Sequence, residues 1–327
     1  MYMLRRLRAL IDGNIIALLL LIGLLGLISF TGHRFYMYIA TLIMIFGIFA
    51  MGYNILFGYA GLLSFGHGLF FGVGAYSVAL FTLNVYRDPL VGVLFSIPIA
   101  LLTSIIVGIL TLKHGRVYFA ILTLALSMIF WSALIKLRWL TGGSDGLVGI
   151  PKRGVLVDLS APTVFYYFTL VFFAAIMLGL YVLNKSRYGL LLRALGTNED
   201  RLPFLGYSTF TLRMIALTIS GVVSALAGAL YAVFYSVVTP DVAYWTFGAE
   251  PLVMSLIGGS SYFLGPLVGA IIFVSLTTTV ARFAEYWMFL LGAALIAMIL
   301  FFRGGLLGFL ESLVGRFKLG VYLRWRF

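Results

Sequence analysis

Long apolar stretches, more than any motif, determine what this chain can fold into. Ten of them lie near residues 15–30, 36–57, 59–82, 90–112, 117–135, 163–184, 213–235, 246–260, 263–281 and 286–302. A helix needs about 20 apolar residues to cross a bilayer. The chain is 63% hydrophobic and 10% charged, whereas a soluble domain is about half apolar and about a quarter charged. These values exclude an ordinary soluble enzyme and predict an all-α polytopic membrane protein of about ten transmembrane helices.

The first stretch admits two interpretations. Arg5, Arg6 and Arg8 precede the apolar run at 15–30, and a basic segment followed by an apolar one is also typical of a signal peptide. No convincing small-residue cleavage site follows the run, and Gly32 to Arg34 lead directly into the next stretch. We therefore expect a retained first helix.

The charges predict the orientation. The formal net charge is +12, and with the N-terminus inside, seven of the 22 Lys and Arg residues fall on the outer side, namely Arg34, Arg87, Lys136, Arg138, Lys152, Arg153 and Arg282. The other fifteen are inside, which fits the positive-inside rule with both termini cytoplasmic and an even number of spans. Eight spans plus re-entrant pieces fit nearly as well. The positive charge therefore indicates a membrane, not a nucleic-acid partner.

Ten spans divide into two halves of five, which would lie in opposite orientations, as in many transporters. Each half contains a glycine-rich interruption, at 54–74 and at 250–266. Such segments either line a permeation path or only allow helices to pack closely. The candidate path residues are Asn54, Ser64, Gly66, His67, Ser260 and Ser261. For His67, a buried interhelical hydrogen bond is the alternative to a gating role.

No motif for catalysis is found in the chain. It has no cysteine, no phosphate-binding loop and no H-E-x-x-H, and its three histidines are scattered, so neither a metal site nor a cofactor is expected in it. Most carboxylates fall in loops or at span ends, and Glu250 and Glu285 fall at predicted helix starts, where the helix dipole favours them. A carrier driven by an ion gradient would need ionisable groups inside its spans. Energy is therefore expected to enter from elsewhere.

The chain is expected to be one transmembrane domain over 1–327, with two functional loops and a basic cytoplasmic tail at 304–327. The cytoplasmic loop at 185–212 contains a short amphipathic helix, which either enters a groove on a protein partner or lies on anionic lipid. The outer loop at 136–162 contains Thr141–Lys152 with four glycines and one proline. Its backbone N–H groups could face a ligand or partner, although a plain connection is the simpler interpretation.

Four patches in order carry a resemblance to a known family. They are Asn54 with Gly58–Gly68 and Gly72–Tyr76; Thr141–Pro151; Ser186–Gly189 with Arg193–Leu195, Asn198 and Glu199; and Ala225–Tyr231 followed by Ser255–Gly259 and Gly265–Ala270. Together they span about residues 50–275. The chain resembles the permease subunit of branched-chain amino acid ABC importers, the LivH/LivM family, and its LivM-like branch in particular.

The resemblance implies a type II ABC importer-like fold in the cell (inner) membrane and several partners. These are a LivH-like permease, two ATPase subunits that carry ATP and Mg²⁺, and a periplasmic or extracellular solute-binding protein. It makes 185–212 the loop that couples to the ATPase, through Arg187, Gly189, Arg193, Asn198 and Glu199. It makes the outer loop a gating or docking element, with Gly142, Gly143, Asp145 and Gly146 as its key positions.

The segment at 200–203 and the substrate each allow more than one interpretation. Asp200-Arg201-Leu202-Pro203 replaces the small helical residues that relatives commonly carry, and because proline removes a backbone donor, the coupling helix is expected to end or restart there. The substrate is expected to be a branched-chain or other hydrophobic amino acid, with urea or an amide as the alternative. A channel or secondary carrier that works without ATP, and a scaffold that transports nothing, are the remaining hypotheses.

Overall fold

The computed structural model describes residues 13–29, 32–280, 292, 296 and 304–315. Its twelve described helices are α1 Gly13–Ile28, α2 Arg34–Asn54, α3 His67–Asn84, α4 Pro89–Thr111, α5 Arg116–Lys136, α6 Arg138–Thr141, α7 Pro162–Lys185, α8 Arg187–Thr197, α9 Thr209–Tyr235, α10 Trp245–Gly258, α11 Gly265–Val280 and α12 Gly305–Gly315. Two short strands, β1 Leu147–Val148 and β2 Val237–Val238, pair antiparallel.

Nine of these helices coincide with predicted apolar stretches. In the part of the chain that the structure describes, five helices are long and apolar enough to cross a membrane, namely α2 with its extension to Tyr59, α4, α5, α7 and α9. α1 and residues 265–278 of α11 are shorter apolar helices. The basic residues before Gly13, the tenth predicted stretch at 286–302 apart from residues 292 and 296, and the second half of the tail at 304–327 lie outside the described residues.

Two helices form the centre of the bundle. α2 is buried along most of its length and packs against α7, α9, α10 and α11, and α9 packs against α2, α3 and α4. α4, α5 and α7 lie around them and leave many large apolar side chains exposed. An apolar surface of this size is expected where a chain contacts lipid or another membrane subunit.

Small residues set the closest helix contacts. A Cβ atom built on Gly74 of α3 would lie 1.8 Å from the carbonyl oxygen of Ala225, and one on Gly228 of α9 would lie 1.9 Å from the carbonyl oxygen of Phe71. No side chain fits in such a space. For this helix pair the glycines allow close packing, as one of the two sequence interpretations expected.

The outer loop is tied to the bundle through Asp88, which precedes α4. One carboxylate oxygen accepts hydrogen bonds from the backbone N–H groups of Leu90 at 3.0 Å and Val91 at 3.2 Å. The other accepts one from the N–H of Leu156 at 2.6 Å. Asp88 therefore caps α4 and holds the distal part of the loop against it.

α1 is part of the bundle. It packs against α7, and its Leu18 and Leu25 are buried. The hydroxyl of Tyr166 in α7 donates a hydrogen bond to the carbonyl oxygen of Leu25.

Candidate functional site

Two irregular segments interrupt the bundle. The first, which we name connector 1, is Ala60–Gly66; it follows a π-helical turn at Ile55–Tyr59 that ends α2, and it leads into α3. The second, connector 2, is Ser236–Tyr244; it joins α9 to α10 and contains β2 and a short 3-10 helix at Pro240–Ala243. Non-helical backbone inside a membrane protein is stable only where protein or a polar cavity surrounds it.

The connectors meet well inside the bundle. A Cβ atom on Gly248, near the start of α10, would lie 2.7 Å from the backbone nitrogen of Gly68 and 3.1 Å from the carbonyl oxygen of Phe65. Likewise, one on Gly68 would lie 3.0 Å from the carbonyl oxygen of Tyr244. The N-termini of α3 and α10 are therefore adjacent, and each follows a connector.

The depth of this meeting point can be measured along α5. The hydroxyl of Ser127 donates a hydrogen bond of 2.8 Å to the carbonyl oxygen of Ala243 in connector 2, and a Cβ atom on Gly66 would lie 2.3 Å from the carbonyl oxygen of Thr123. At about 1.5 Å per residue, Thr123 lies roughly 10 Å and Ser127 roughly 16 Å along α5 from Arg116, in a helix about 30 Å long. The two N-termini meet near the middle of the bundle.

His67, the first residue of α3, is held by two serines. Its Nδ1 lies 3.0 Å from Oγ of Ser64 in connector 1, and its Nε2 lies 2.7 Å from Oγ of Ser220 in α9. The side chain is fully buried, and its ring meets that of Tyr53 edge-on at 4.6 Å. This is the interhelical hydrogen-bonding geometry that the sequence left as one of two interpretations. Ser220, its partner across the bundle, has no signal in the sequence that distinguishes it from other serines in apolar helices.

Hydrogen bonds with residues nearby in the sequence also stabilise connector 1. Ser64 is buried, its Oγ accepts a hydrogen bond from the N–H of Gly66 at 3.2 Å, and its carbonyl oxygen accepts one from the hydroxyl of Tyr53 at 3.2 Å. Ser64, Gly66 and His67 thus support the entry to α3 from inside the protein. A role for them in lining a path stays a prediction.

The second glycine-rich interruption, at 250–266, lies elsewhere. Its turn at 259–264 contacts the end of α2, because Nδ2 of Asn54 donates a hydrogen bond of 3.0 Å to the carbonyl oxygen of Ser260. Asn54 is buried, Ser260 is half-buried and Ser261 is exposed. The segment that meets connector 1 inside the bundle is instead connector 2, which the sequence analysis did not single out. Its sequence is mostly apolar, and Thr239-Pro240-Asp241 is the one signal that could have marked it.

The sequence predicted that Glu250 lies at a helix start, and this prediction is wrong. α10 begins at Trp245, so Glu250 lies in its second turn, where the dipole of the first turn no longer explains it. Glu285 lies outside the described residues.

α8 packs against the π-helical turn at the end of α2. Oγ of Ser186 accepts a hydrogen bond from the N–H of Gly189 at 3.2 Å and so caps the helix. At its other end, a Cβ atom on Gly196 would lie 2.2 Å from the carbonyl oxygen of Tyr59. α8 and the turn that leads into connector 1 are therefore in direct backbone contact.

Arg193 strengthens this contact. Its guanidinium donates hydrogen bonds to Oδ1 and to the carbonyl oxygen of Asn184, and the hydroxyl of Tyr59 donates to the same Oδ1 at 3.1 Å. The guanidinium also lies 5.6 Å from the centre of the Tyr59 ring, which is a cation–π distance. Arg193 therefore faces the bundle.

Glu199 joins three elements. Its Oε2 accepts a hydrogen bond from Arg213 in α9 at 2.6 Å and lies 3.5 Å from Nη2 of Arg116 in α5. Partial burial raises the pKa of the carboxyl, but the hydrogen bond and charge of Arg213, together with the charge of Arg116, outweigh it and leave the pKa below its ordinary value. The carboxylate is therefore ionised at neutral pH.

Other residues of the predicted coupling set face outward. Arg187 and Asn198 are exposed, and so are Tyr188 and Leu190 of α8. Beyond α8 a short 3-10 helix at Pro203–Leu205 presents Phe204, which is 91% exposed. The helix ends at Thr197 and a new turn begins at Pro203, which agrees with the expected restart. The sequence had predicted Leu190 on the apolar face of the amphipathic helix, whereas Tyr188 and Phe204 were not predicted as exposed contacts.

The outer loop is joined to connector 2. β1 of the loop pairs with β2 of the connector, with Leu147 opposite Val238 and Val148 opposite Val237. Gly146, just before β1, has φ of 72° and its Cβ would lie 2.0 Å from the carbonyl oxygen of Val238. Only glycine fits both the backbone conformation and the space. Asp145 is exposed, and Gly142 ends α6 with φ of 75°.

These features define a class of protein: a multi-pass membrane permease in which two broken segments meet inside a helical bundle. Residues 35–299 match the family described as "Branched-chain amino acid transport system / permease component". The chain belongs to this family.

Individual relatives agree with this assignment. The chain is 30% identical over 299 residues to the high-affinity branched-chain amino acid transport system permease protein LivM of Salmonella typhimurium, covering 82% of this chain and 69% of the relative. It is equally similar to LivM of Escherichia coli K12. It is 26% identical over 226 residues to the autoinducer 2 import system permease protein LsrC of Escherichia coli, covering 63% of this chain and 64% of the relative. No solved structure matches the chain.

Proposed function

We propose that the chain is the permease subunit of an ATP-binding-cassette importer that moves branched-chain or other hydrophobic amino acids inward. ATP hydrolysis is assigned to separate ATPase subunits, and delivery of the substrate to an external solute-binding protein. The observation that carries the proposal is the meeting of connectors 1 and 2 inside the bundle, in a chain of this permease family. Broken helices whose N-termini meet at mid-depth are typical of substrate paths in transporters.

The partner on the substrate path is proposed to be a LivH-like permease. Next to the start of α10, Trp245 and Thr246 are exposed, and the neighbouring face of α5 exposes Ile121 and Ile129. A path between this face and a sister subunit would place the N-terminus of α10 beside the substrate. Free backbone N–H groups at a helix N-terminus suit a carboxylate, which every amino acid carries.

The topology is proposed to be ten spans in two inverted halves of five, with both termini in the cytoplasm of a cell (inner) membrane protein. The arrangement of the connectors supports it. Connector 1 follows α2 and precedes α3, and connector 2 follows α9 and precedes α10. With α1 as the first span and the short α6 and α8 left out, these are the second, third, seventh and eighth spans. The equivalent positions in two halves of five are therefore both broken.

The coupling loop at 185–212 is proposed to receive the movement of an ATPase subunit. Its exposed apolar side chains, Tyr188, Leu190, Phe204 and Leu205, suit insertion into a groove on a protein. Arg193, Glu199 and Gly196 then carry the movement inward, because they bind or contact α5, α9 and the turn before connector 1. Arg187, Gly189 and Asn198 would position the helix and its ends.

The outer loop at 136–162 is proposed to act on connector 2 in the same way. The β1–β2 pairing joins it to the segment that precedes α10. A binding protein that docks on this loop, near Asp145 and Gly142, would thus move the second connector. Each side of the membrane would control one of the two segments that meet inside the bundle.

Uptake by reconstituted complexes tests the proposal. Liposomes that contain this chain, its sister permease and the ATPase subunits should take up labelled leucine only with ATP and the binding protein present. Uptake by the isolated chain without ATP would identify a channel or secondary carrier and contradict the proposal, and uptake by complexes that lack the chain would identify a scaffold.

The substrate needs a separate measurement. One relative, LsrC, is a permease of an autoinducer 2 import system, and urea or amides are the alternatives from the sequence. Ligand binding by the cognate external protein decides among these, because that protein selects the solute. Binding of urea in place of leucine would leave the architecture in place and change the substrate class.

A further inference from the structure

A cavity of about 590 Å³ lies at the end of the bundle where α2 and α7 begin and α9 ends. Its walls are mostly apolar and include Met37, Phe165 and Phe234. The hydroxyls of Tyr38 and Tyr235 hydrogen-bond each other across it at 3.0 Å. The volume is within the range of about 300–1,000 Å³ that is usual for small-molecule sites.

Two cations line the same cavity. Arg34 comes from the start of α2 and Lys152 from the outer loop. Within the part of the chain that the structure describes, neither forms an ion pair with a carboxylate. The nearest carboxylate along the loop is Asp158, and it is bound by Arg153, whose Nε lies 3.4 Å from Oδ2. Arg153 and Asp158 are bridge partners, so their pairing leaves the charge of Lys152 uncompensated.

Partial burial lowers the pKa of the Lys152 ammonium, which means that its charge is less well solvated than in water. An anion in the cavity would stabilise that charge. The apolar walls require that the anion also carry a hydrocarbon part. A water-soluble anion such as phosphate would leave these walls without a partner.

The position of the cavity indicates which kind of amphiphilic anion binds there. Phe35 and Tyr38 on α2 and Tyr235 on α9 are each about 40% exposed, and they lie at the ends of membrane-spanning helices. Side chains in this position face the interfacial region of the bilayer, where aromatic residues are enriched. The molecules present there at high concentration with a charged head and an apolar tail are lipids.

We propose that this cavity is a binding site for an anionic phospholipid. The phosphate lies between Arg34 and Lys152, and part of an acyl chain lies along Met37, Phe165 and Phe234. The site is independent of the substrate path, which we place on the side of α5 and α10. It would anchor the end of α9, where connector 2 begins.

Native mass spectrometry of the full-length chain in detergent tests this assignment. The probes are phosphatidylglycerol and phosphatidylcholine with identical acyl chains. A cation near a lipid anion contributes about fivefold in affinity, so the wild type should retain one phosphatidylglycerol with a preference of roughly tenfold or more. Arg34→Gln with Lys152→Gln should abolish this preference.

The matched control is Arg87→Gln with Lys136→Gln, which removes two exposed charges that do not line the cavity. It should keep the preference. Loss of the preference in both double variants, or in neither, overturns the site. Ser160→Trp narrows the cavity without changing charge at an exposed position, and it should also lower lipid retention; unchanged retention would place the lipid elsewhere.

Competition separates the lipid from a soluble anion. Inorganic phosphate or leucine at millimolar concentration should leave the bound phosphatidylglycerol in place. Displacement by either one would identify a small-anion or solute site and overturn the lipid assignment.

Discussion

At the scale of single residues, charged side chains in the cytoplasmic loop hold the chain's own elements together. Arg193 binds Asn184, and Glu199 binds Arg213 and Arg116. The resemblance to the permease family implied a role for these side chains in coupling, and that role stays a prediction. Their contacts are inside the chain, so the proposed role is to transmit movement and not to touch the ATPase.

Charge reversal of Glu199 should therefore uncouple the transporter. Glu199→Lys would place a cation between two arginines, and transport-coupled ATPase activity should fall severalfold while membrane insertion is retained. Asp200→Lys is the matched control, because Asp200 is the exposed neighbour of Glu199 and makes the same charge change. ATPase assays on reconstituted complexes measure the effect. Equal activity in the two variants would remove Glu199 from the coupling role.

The ion pairs of Glu199 with Arg213 and Arg116 also predict how coupling depends on pH. Because the folded-state pKa of Glu199 is lowered, its stabilising contribution is complete above the ordinary glutamate pKa of about 4.3 and is lost as the pH falls through the lower folded value. Coupling should thus be insensitive to Glu199 protonation between pH 5 and 8. Transport-coupled ATPase activity of the wild type measured from pH 5 to 8 checks this, and a fall towards pH 5 to the level of Glu199→Gln would contradict the lowered pKa.

Glycine packing gives a second residue-scale prediction. Gly74→Ala should lower the free energy of unfolding by about 1–3 kcal/mol, because the added methyl collides with the backbone carbonyl of Ala225. Gly179→Ala in α7 is the control, since nothing lies within 4 Å of its Cβ position; it should be neutral or stabilising by up to about 1 kcal/mol. Thermal unfolding of the purified variants in detergent compares them. A neutral Gly74→Ala would mean that α3 and α9 separate easily.

At the scale of elements, the connectors are each joined to one loop. The contact between Gly196 and Tyr59 joins α8 to the turn before connector 1, and the β1–β2 ladder joins the outer loop to connector 2. In both cases a glycine or a short strand allows the backbones of the two elements to contact each other directly. We expect the two elements to move together, because no side chain lies between them that could adjust.

Two glycines of the outer loop test the second junction. Gly146→Ala and Gly149→Ala both place alanine at positive φ, but only the first would meet connector 2, at the carbonyl oxygen of Val238. Gly146→Ala should therefore reduce the stimulation of ATPase activity by the binding protein and leave basal activity unchanged. Gly149→Ala should cost stability through strain alone. Full stimulation in the Gly146 variant would show that the ladder does not transmit docking.

At the scale of the whole molecule, the two functional ends of the bundle are distinct. The starts of α2 and α7 and the end of α9 meet at the cavity that contains Arg34 and Lys152. The end of α2, α8 and the starts of α5 and α9 meet around Glu199 and Tyr59. We propose that the second end faces the cytoplasm, as the charge distribution predicts.

Labelling of introduced cysteines tests this orientation, because the chain contains no cysteine of its own. Ser160→Cys and Phe204→Cys are both at exposed positions, at opposite ends of the bundle. In intact cells a membrane-impermeant maleimide should label the first and reach the second only after permeabilisation. The unsubstituted chain is the control. Labelling of both from the same side would rule out the proposed topology.

The features that could be predicted from the sequence are those that depend on local interactions. Nine predicted stretches contain a helix, since length and hydrophobicity act locally. The stretch at 59–82 is the exception in its bounds, because connector 1 occupies its first part and the helix begins at His67. The break at connector 1 was visible because it is rich in glycine. Proline chemistry accounts for the new turn that begins at Pro203 but not for the end of α8 at Thr197. Connector 2 was missed because most of its residues are apolar, and because its irregular backbone is stabilised by contacts with distant segments, namely α3, α5 and strand β1.

The sequence by itself determined a membrane protein, its apolar segments and its permease family. Each of these depends on composition or on short patterns that do not need the fold. Only the tertiary structure decided that His67 binds Ser220, that Glu199 binds Arg213, and that connector 2, instead of 250–266, meets connector 1. These contacts join residues far apart in the chain, and packing within a bundle of apolar helices selects them from many pairings that hydrophobicity alone permits.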